Sequence, residues 1–205
     1  MRAGRAFSLL ELLVVIAIIA LLTGLLAPAV SSTTRGSQLI RGGDKALAVL
    51  SLARQTALTK NQPVEVRFYQ YGDPEVPGES ASSPASGKFR AIQAFKIDDN
   101  GDAKPIGKIE TLPTSIIMDS GATLSTLLGT TTNLSPAPAI PRVGTSYNCC
   151  AFRFLADGSA NLPKTDTWFV TFHNILDSDK LGTPPANFIT IQIDPANGSM
   201  KTWQP

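Results

Sequence analysis

The sequence predicts an α+β fold: a long N-terminal helix, apolar at first and amphipathic later, packed on a small antiparallel β head. Three observations lead there. Residues 12–30 carry no charge. Apolar residues then recur every three to four positions between about 44 and 60, one face of a helix. From Val64 onward the period drops to two, and Gly-containing turn dipeptides punctuate the chain. A length of 205 residues suits one modest domain with an appendage rather than two full domains.

The chain begins Met1-Arg-Ala-Gly-Arg-Ala6, and Phe7-Ser-Leu-Leu-Glu11 leads into the apolar stretch. At helical rise that stretch spans roughly 28 Å, about the thickness of a bilayer's hydrocarbon core. Arg2 and Arg5 precede it, so the positive-inside rule keeps the N-terminus cytoplasmic and exports everything after Val30. A secretory signal and a plain anchor compete with this reading. Ala27-Pro28-Ala29 sits where a signal would be cut, but Pro28 at its centre makes a poor site. An anchor fits the length. Neither accounts for Glu11, because a carboxylate at the edge of an apolar helix is expensive unless it is paired.

Phe7-Ser-Leu-Leu-Glu11-Leu and the apolar run after it resemble the prepilin N-terminal motif of type IV pilins and type II secretion pseudopilins. The resemblance implies that prepilin peptidase cuts between Ala6 and Phe7 and methylates the new Phe7 amine. It implies an assembly role for Glu11, whose carboxylate would neutralise the Phe7 amine of a neighbouring subunit. Both charges would be desolvated, so losing one partner would be costly and the pair would set register. The competing account of Glu11 is a side chain snorkelling to the headgroups. Pro28 falls where the family often has a proline, which implies a helix kink. Ala6 departs from the family, which nearly always has Gly before the cut. Gly4 lies too early, since cutting there would misplace Glu11.

The implied partners are prepilin peptidase, other pilin-like subunits and the inner membrane. The implied location is single-pass in that membrane, head in the periplasm, before entry into a type II secretion or type IV pilus-like filament. The regions are then a leader at 1–6, a transmembrane and assembly helix at 7–30, an amphipathic spine at 31–62 and a head at 63–205.

Within the spine, Ser31-Ser-Thr-Thr-Arg-Gly36 and Gly42-Gly43 are expected to weaken the helix, and a second helical pattern starts near Asp44. Leu47, Leu50, Ala53, Ala57 and Leu58 form its apolar face, with Lys45, Arg54 and Gln55 largely off it. Asn61 and Pro63 close it.

In the head, Val64, Val66 and Phe68 alternate with Glu65, Arg67 and Tyr69 as a strand does. Residues 72–87 form an exposed loop by composition. Further strands are expected at 89–97, 106–112, 115–118, 151–155, 168–173, 188–193 and 200–203. Asn100-Gly101, Asp157-Gly158 and Asn197-Gly198 supply turns. Residues 119–146 are Thr/Pro-rich and mostly irregular, a length of loop that is usually functional or mobile. A second resemblance rests on the helix end 52–64, Phe152-Arg-Phe-Leu-Ala-Asp-Gly-Ser and Ile189-Thr-Ile-Gln-Ile-Asp-Pro-Ala-Asn-Gly. These are similar to H-type minor pseudopilins of type II secretion, whose heads are small β-sandwiches. Residues 64–75 and the two long loops look closer to Verru_Chthon cassette protein D, a group defined by the same N-terminus.

Other chemistry finds little support in the residues. The chain has 18 basic and 16 acidic side chains, and losing Arg2 and Arg5 with the leader leaves 16 against 16. That is not the basic stripe of a nucleic-acid binder. Lys88, Arg90 and Lys96 lie along one strand and could face DNA, but a solvated sheet face accounts for them. Asp98-Asp-Asn-Gly-Asp102 offers oxygen ligands, yet an EF-hand loop would want Gly and Glu where Ala103 and Ile109 stand. A hairpin turn explains it better. Cys149 and Cys150 are adjacent, and normal disulfide geometry needs Cα atoms ~5.5 Å apart. They are expected to be small strand residues. His173 has no partner at metal or triad spacing and is expected to be structural. No phosphate loop or nucleophile elbow occurs, so neither a cofactor nor an enzyme is expected.

Three functional readings follow. The first is a pilin-like structural subunit. The second is a membrane-anchored β-domain acting as a filament-tip adhesin or as a DNA- or substrate-binding module. The third is an enzyme on an anchor.

Overall fold

In the computed structural model of the chain, residues 8–80, 83, 87–129, 134–135, 137–177 and 183–205 are described, without the side chains of 24–32. The chain divides into two compact units, at Ser37 and Gln38. Helix α1 runs unbroken from Leu9 to Lys60. The single long helix expected is present, and the stretches at 31–36 and 42–43, expected to weaken it, lie within it, as does the pattern that starts near Asp44.

In the first unit the side chains from Leu9 to Leu22 are largely exposed and, Glu11 apart, apolar. Thr23 Oγ1 donates back to the Ile19 carbonyl at 2.9 Å. That bond lets a hydroxyl sit in an apolar helix without an unmet donor.

In the second unit, Leu39, Gly42, Gly43, Ala46, Leu50, Ala53 and Ala57 form the buried stripe of α1. The stripe is rotated from the expected one. Ala46 is fully buried, Leu47 is half-buried, and Leu58 is exposed. Gly42 and Gly43 explain why the stripe lies where it does and why the helix continues through them. A Cβ on Gly43 would stand 2.9 Å from Ile189 Cδ1, and one on Gly42 would stand 3.1 Å from Ile116 Cγ2. Each Gly costs the helix roughly 1 kcal/mol in propensity. Here the missing side chains let the backbone approach the sheet, and packing outweighs propensity.

The helix ends as Asn61 and Pro63 suggested. Asn61 takes a left-handed φ of 51°, and the Gln62 amide bonds the Ala57 carbonyl at 3.3 Å. Together they make a Schellman cap.

Among the described residues eight strands follow: β1 (Val64–Tyr71), β2 (Lys88–Ile97), β3 (Ala103–Thr111), β4 (Ile116–Met118), β5 (Asn148–Phe154), β6 (Trp168–Asn174), β7 (Phe188–Ile193) and β8 (Met200–Trp203). All pairings are antiparallel, in the order β5-β1-β2-β4-β6-β7-β8, with β3 branching off β2. Where a sandwich of two sheets was expected, hydrogen bonds join every strand into one sheet. The join is β4, which pairs with the start of β2 on one side and with β6 on the other.

The alternation of β1 sorts two cores. Val64, Val66 and Phe68 join the α1 stripe, together with Phe152, Phe172 and Ile191. Tyr69 and Tyr71 face the other way, into a cluster with Ala91, Ile140 and Cys149 that Leu134, Val143 and Tyr147 cover. Leu134, Ile140, Val143 and Tyr147 therefore roof the sheet face away from the helix, and β1 is buried on both sides. Asn100-Gly101, Asp157-Gly158 and Asn197-Gly198 make the expected turns, each Gly at positive φ.

Candidate functional site

Ala6 and Phe7 lie outside the described residues. The first described residue, Ser8, caps α1: its Oγ accepts from the Glu11 amide at 3.2 Å, and its carbonyl accepts from the Leu12 amide at 3.2 Å. Ser-x-x-Glu before an apolar run is a capping-box signature, a signal present in the sequence and not used in its reading. Glu11 is exposed in the first turn, where the helix dipole favours a carboxylate. Pro28 sits within the helical span, with its side chain outside the described ones. Among the described residues no helix is long and apolar enough to cross a membrane. Side chains of the apolar stretch are described only over 9–23, about 22 Å of helix. The transmembrane expectation for 7–30 therefore falls partly outside the described residues.

The head builds a second region, on the roofed face of the sheet. Glu65, 4% exposed, takes Arg67 Nε on one carboxylate oxygen at 2.7 Å and Arg153 Nε on the other at 2.9 Å. Arg67 also lies 4.0 Å over the Phe95 ring and donates to the Ser135 carbonyl at 2.8 Å. Two buried charges are thus neutralised, and the roof segment is tied to the sheet. Beside them Tyr69 and Tyr147 meet edge to face at 4.9 Å. Burial pushes the Tyr69 hydroxyl well above the usual range.

The two long loops meet near the end of β1. Arg142 pairs with Glu75. Arg142 takes φ 68°, strained for a residue with a Cβ. Arg90 donates to Glu79 Oε1 at 2.6 Å and to the Thr114 carbonyl at 2.7 Å. The same Glu79 accepts from the Asp73 amide at 2.9 Å. This corrects the sequence reading of Lys88, Arg90 and Lys96 as a solvated face: Arg90 is 2% exposed, and both lysines are half-buried. The covering loop, invisible to strand periodicity, made the difference. A cavity of about 80 Å³ lies here, lined by Tyr71, Asp73, Arg90, Arg142 and Val143 among others. Burial pushes the Tyr71 hydroxyl up to about 12.

The remaining candidates resolve individually. His173 does have a partner: Asp119 Oδ2 lies 2.9 Å from Nε2, and Nδ1 faces the Asn174 carbonyl at 2.8 Å. Asp98 Oδ1 accepts the Asn100 and Asp102 amides, and Oδ2 lies 2.9 Å from Lys104. Those bonds hold its carboxyl below the usual range, the Lys104 bond first. They are the bonds of a hairpin turn. Cys149 and Cys150 are free and buried in opposite clusters of the sheet.

Residues 1–27 match the family model of the prokaryotic N-terminal methylation motif. The chain joins this N-terminal motif to an α+β head, and the match supports the type IV pilin and pseudopilin resemblance. A solved structure similar to the chain is the minor pseudopilin EpsH from the Type 2 Secretion System of Vibrio cholerae. The likeness is 11% in identity and covers 82% of this chain and 98% of that one, with a TM-score of 0.44. At that level it carries no argument about function. No curated protein matches the chain.

Proposed function

We propose that the protein is a pilin-like structural subunit, a minor pseudopilin or minor pilin. It enters the inner membrane through the 7–30 helix with its head in the periplasm. Prepilin peptidase cuts between Ala6 and Phe7 and methylates Phe7, and the helix then packs among those of other subunits in a type II secretion or type IV pilus-like filament. Glu11 neutralises a neighbour's Phe7 amine. Pro28, which cannot donate to the helix ladder, bends the helix there. The observation that carries this reading is the methylation motif at 1–27 running into a helix whose apolar side chains from Leu9 to Leu22 are exposed. Such a face needs lipid or other helices to cover it.

Mass spectrometry of the N-terminal peptide, taken from the native membrane, tests it. A peptide starting at methylated Phe7 is expected. One starting at Met1, or just after Ala29, would overturn the proposal.

A second reading, a head that binds a ligand at a filament tip, is favoured by one observation. The loops singled out in the sequence meet through Glu75 and Arg142 and enclose a cavity.

A further inference from the structure

His173 is the chain's single histidine and sits in β6 with its side chain 1% exposed. Both ring nitrogens face oxygens that only accept. Nε2 lies 2.9 Å from Asp119 Oδ2, and Nδ1 lies 2.8 Å from the Asn174 carbonyl. A neutral imidazole carries one N–H, so it can meet only one of the two. Its other nitrogen would then set a lone pair against an oxygen, with no room for a water between them. An imidazolium donates to both. A proton on Asp119 would also serve Nε2, but Asp119 Oδ1 already accepts the Gly121 amide at 2.6 Å. Donors on both carboxylate oxygens favour the ionised form.

Burial alone would keep the ring neutral, so the charges around it decide. Across the sheet, β4 sets Ile117 opposite His173 and β7 sets Phe188 there, and neither titrates. On β6 itself the neighbour on the same face is Thr171, which bonds Thr190. β2, beyond β4, carries Lys88 and Arg90. Arg90 is taken by Glu79, and Lys88 makes no ion pair with Asp119. Asp177 ends the short 3₁₀ turn Ile175–Asp177, is exposed, and bonds neither ring nitrogen. Among the described residues Asp119 is thus the one charged group in contact with the ring. Its side chain is 18% exposed, so little solvent screens the pair.

The pair also closes a strap. After β4, residues 119–127 run along β6. The Asp119 amide bonds the Thr171 carbonyl at 2.9 Å, the Thr171 amide bonds Ser125 Oγ at 3.0 Å, and the Thr126 amide bonds the Phe169 carbonyl at 2.9 Å. Those ties are neutral, and the tie to His173 is charged. We infer that His173 is held as an imidazolium in the folded protein and forms, with Asp119, a proton-operated latch on this strap, the start of the long loop 119–146. Loss of the proton takes the donor from one of the two acceptors and loosens the strap at Asp119 and Gly121. An unfolded histidine sheds that proton near pH ~6.5. Above that value the folded chain binds a proton that the unfolded chain lacks, so the latch's stabilisation falls as pH rises and the folded ring titrates. The inference goes beyond the filament reading and does not depend on N-terminal processing.

The test uses the full-length chain in detergent micelles, with ¹⁵N-labelled histidine. With one histidine in the chain, the ring nitrogen signals belong to His173 without further assignment. They are followed from pH ~6 to pH ~10. At pH ~7.5, where a free imidazole is mostly neutral, both nitrogens are expected to carry protons. One bare nitrogen at that pH would overturn the inference. Asp119→Asn keeps an oxygen for the Gly121 amide and removes the charge, and its ring is expected to be neutral at pH ~7.5. A ring still doubly protonated in that variant would also overturn the inference, since Asp119 would not be what holds the proton. Amide exchange at Gly121, divided by its intrinsic rate at each pH, reads the strap. It is expected to rise about fivefold or more as the wild-type ring loses its proton, and to stay flat in Asp119→Asn. Flat exchange through the wild-type titration, or a ring that keeps both protons up to pH ~10, would leave no switch and would overturn the inference.

Discussion

The Glu11 amide donates to Ser8 Oγ at 3.2 Å, which places the assembly candidate Glu11 in the capping turn of α1. Ser8 therefore holds the helix start through a backbone donor, and that local role can be separated from any role of the Glu11 carboxylate between subunits. Ser8→Ala removes the cap and costs about 1 kcal/mol at the helix start. It should speed hydrogen exchange at the Glu11 and Leu12 amides roughly fivefold. Glu11→Gln keeps the amide donor and should change that exchange little, while removing the charge that the filament proposal needs. Incorporation into filaments should then fall in Glu11→Gln and persist in Ser8→Ala. Equal loss in both variants would assign the defect to helix fraying and sink the charge role.

Gly43 is a contact residue rather than a weak point. Gly43→Ala brings a methyl group to 2.9 Å from Ile189 Cδ1, so either the helix or that side chain must shift. Overpacking of this kind costs about 1–3 kcal/mol. Gly36 has nothing within 4 Å of an added Cβ, so Gly36→Ala should be neutral or stabilising by about 1 kcal/mol. Urea unfolding of the two variants should move in opposite directions. Equal effects would mean that helix propensity, not packing, governs both positions.

Glu65 serves two arginines, but they do not depend on it equally. Glu65→Ala leaves Arg67 buried without its carboxylate and should cost about 3–5 kcal/mol. Arg153, whose side chain is 44% exposed, should cost no more than about 1 kcal/mol when replaced by Ala. A double-mutant cycle by denaturant unfolding checks the order. An Arg153 effect as large as that of Glu65 would show the network to be cooperative through its exposed end.

The thiols give a pH dependence with a definite sign. Burial pushes Cys149 from an ordinary 9.0 up to about 12, and it pushes Cys150 up as well. Between those values the folded chain holds protons that the unfolded chain has lost. Stability should therefore be unaffected by these groups below pH 9 and should fall as pH rises toward 12. Cys149→Ala combined with Cys150→Ala should flatten that alkaline decline. Iodoacetamide at pH ~8.5 should label neither thiol in the folded protein and both in urea. Rapid labelling of the folded protein would contradict the burial.

Local features were legible in the sequence. The Asn-Gly and Asp-Gly turns formed where expected because a left-handed Gly in a tight turn is decided within about four residues. The start of β1 at Val64 and the helix end at Asn61 and Pro63 were equally readable. Arg90 was not, because its strand pattern is that of a solvated face and only a distant loop buries it. His173 and Asp119 are far apart in sequence and adjacent in space, so no spacing rule could pair them.

By itself the sequence determined the N-terminal methylation motif, the apolar stretch that overlaps it, the switch from helical to strand periodicity and the turns. All of these depend on neighbours along the chain. Tertiary structure decided the rest. It kept α1 continuous by seating Gly42 and Gly43 against Ile116 and Ile189, and it joined the strands into one sheet through β4. It also buried Arg67 against Glu65 and Arg90 against Glu79, and it brought Glu75 to Arg142. These outcomes depend on contacts between distant residues, whose energies are set by packing and desolvation, and local sequence pattern does not carry them.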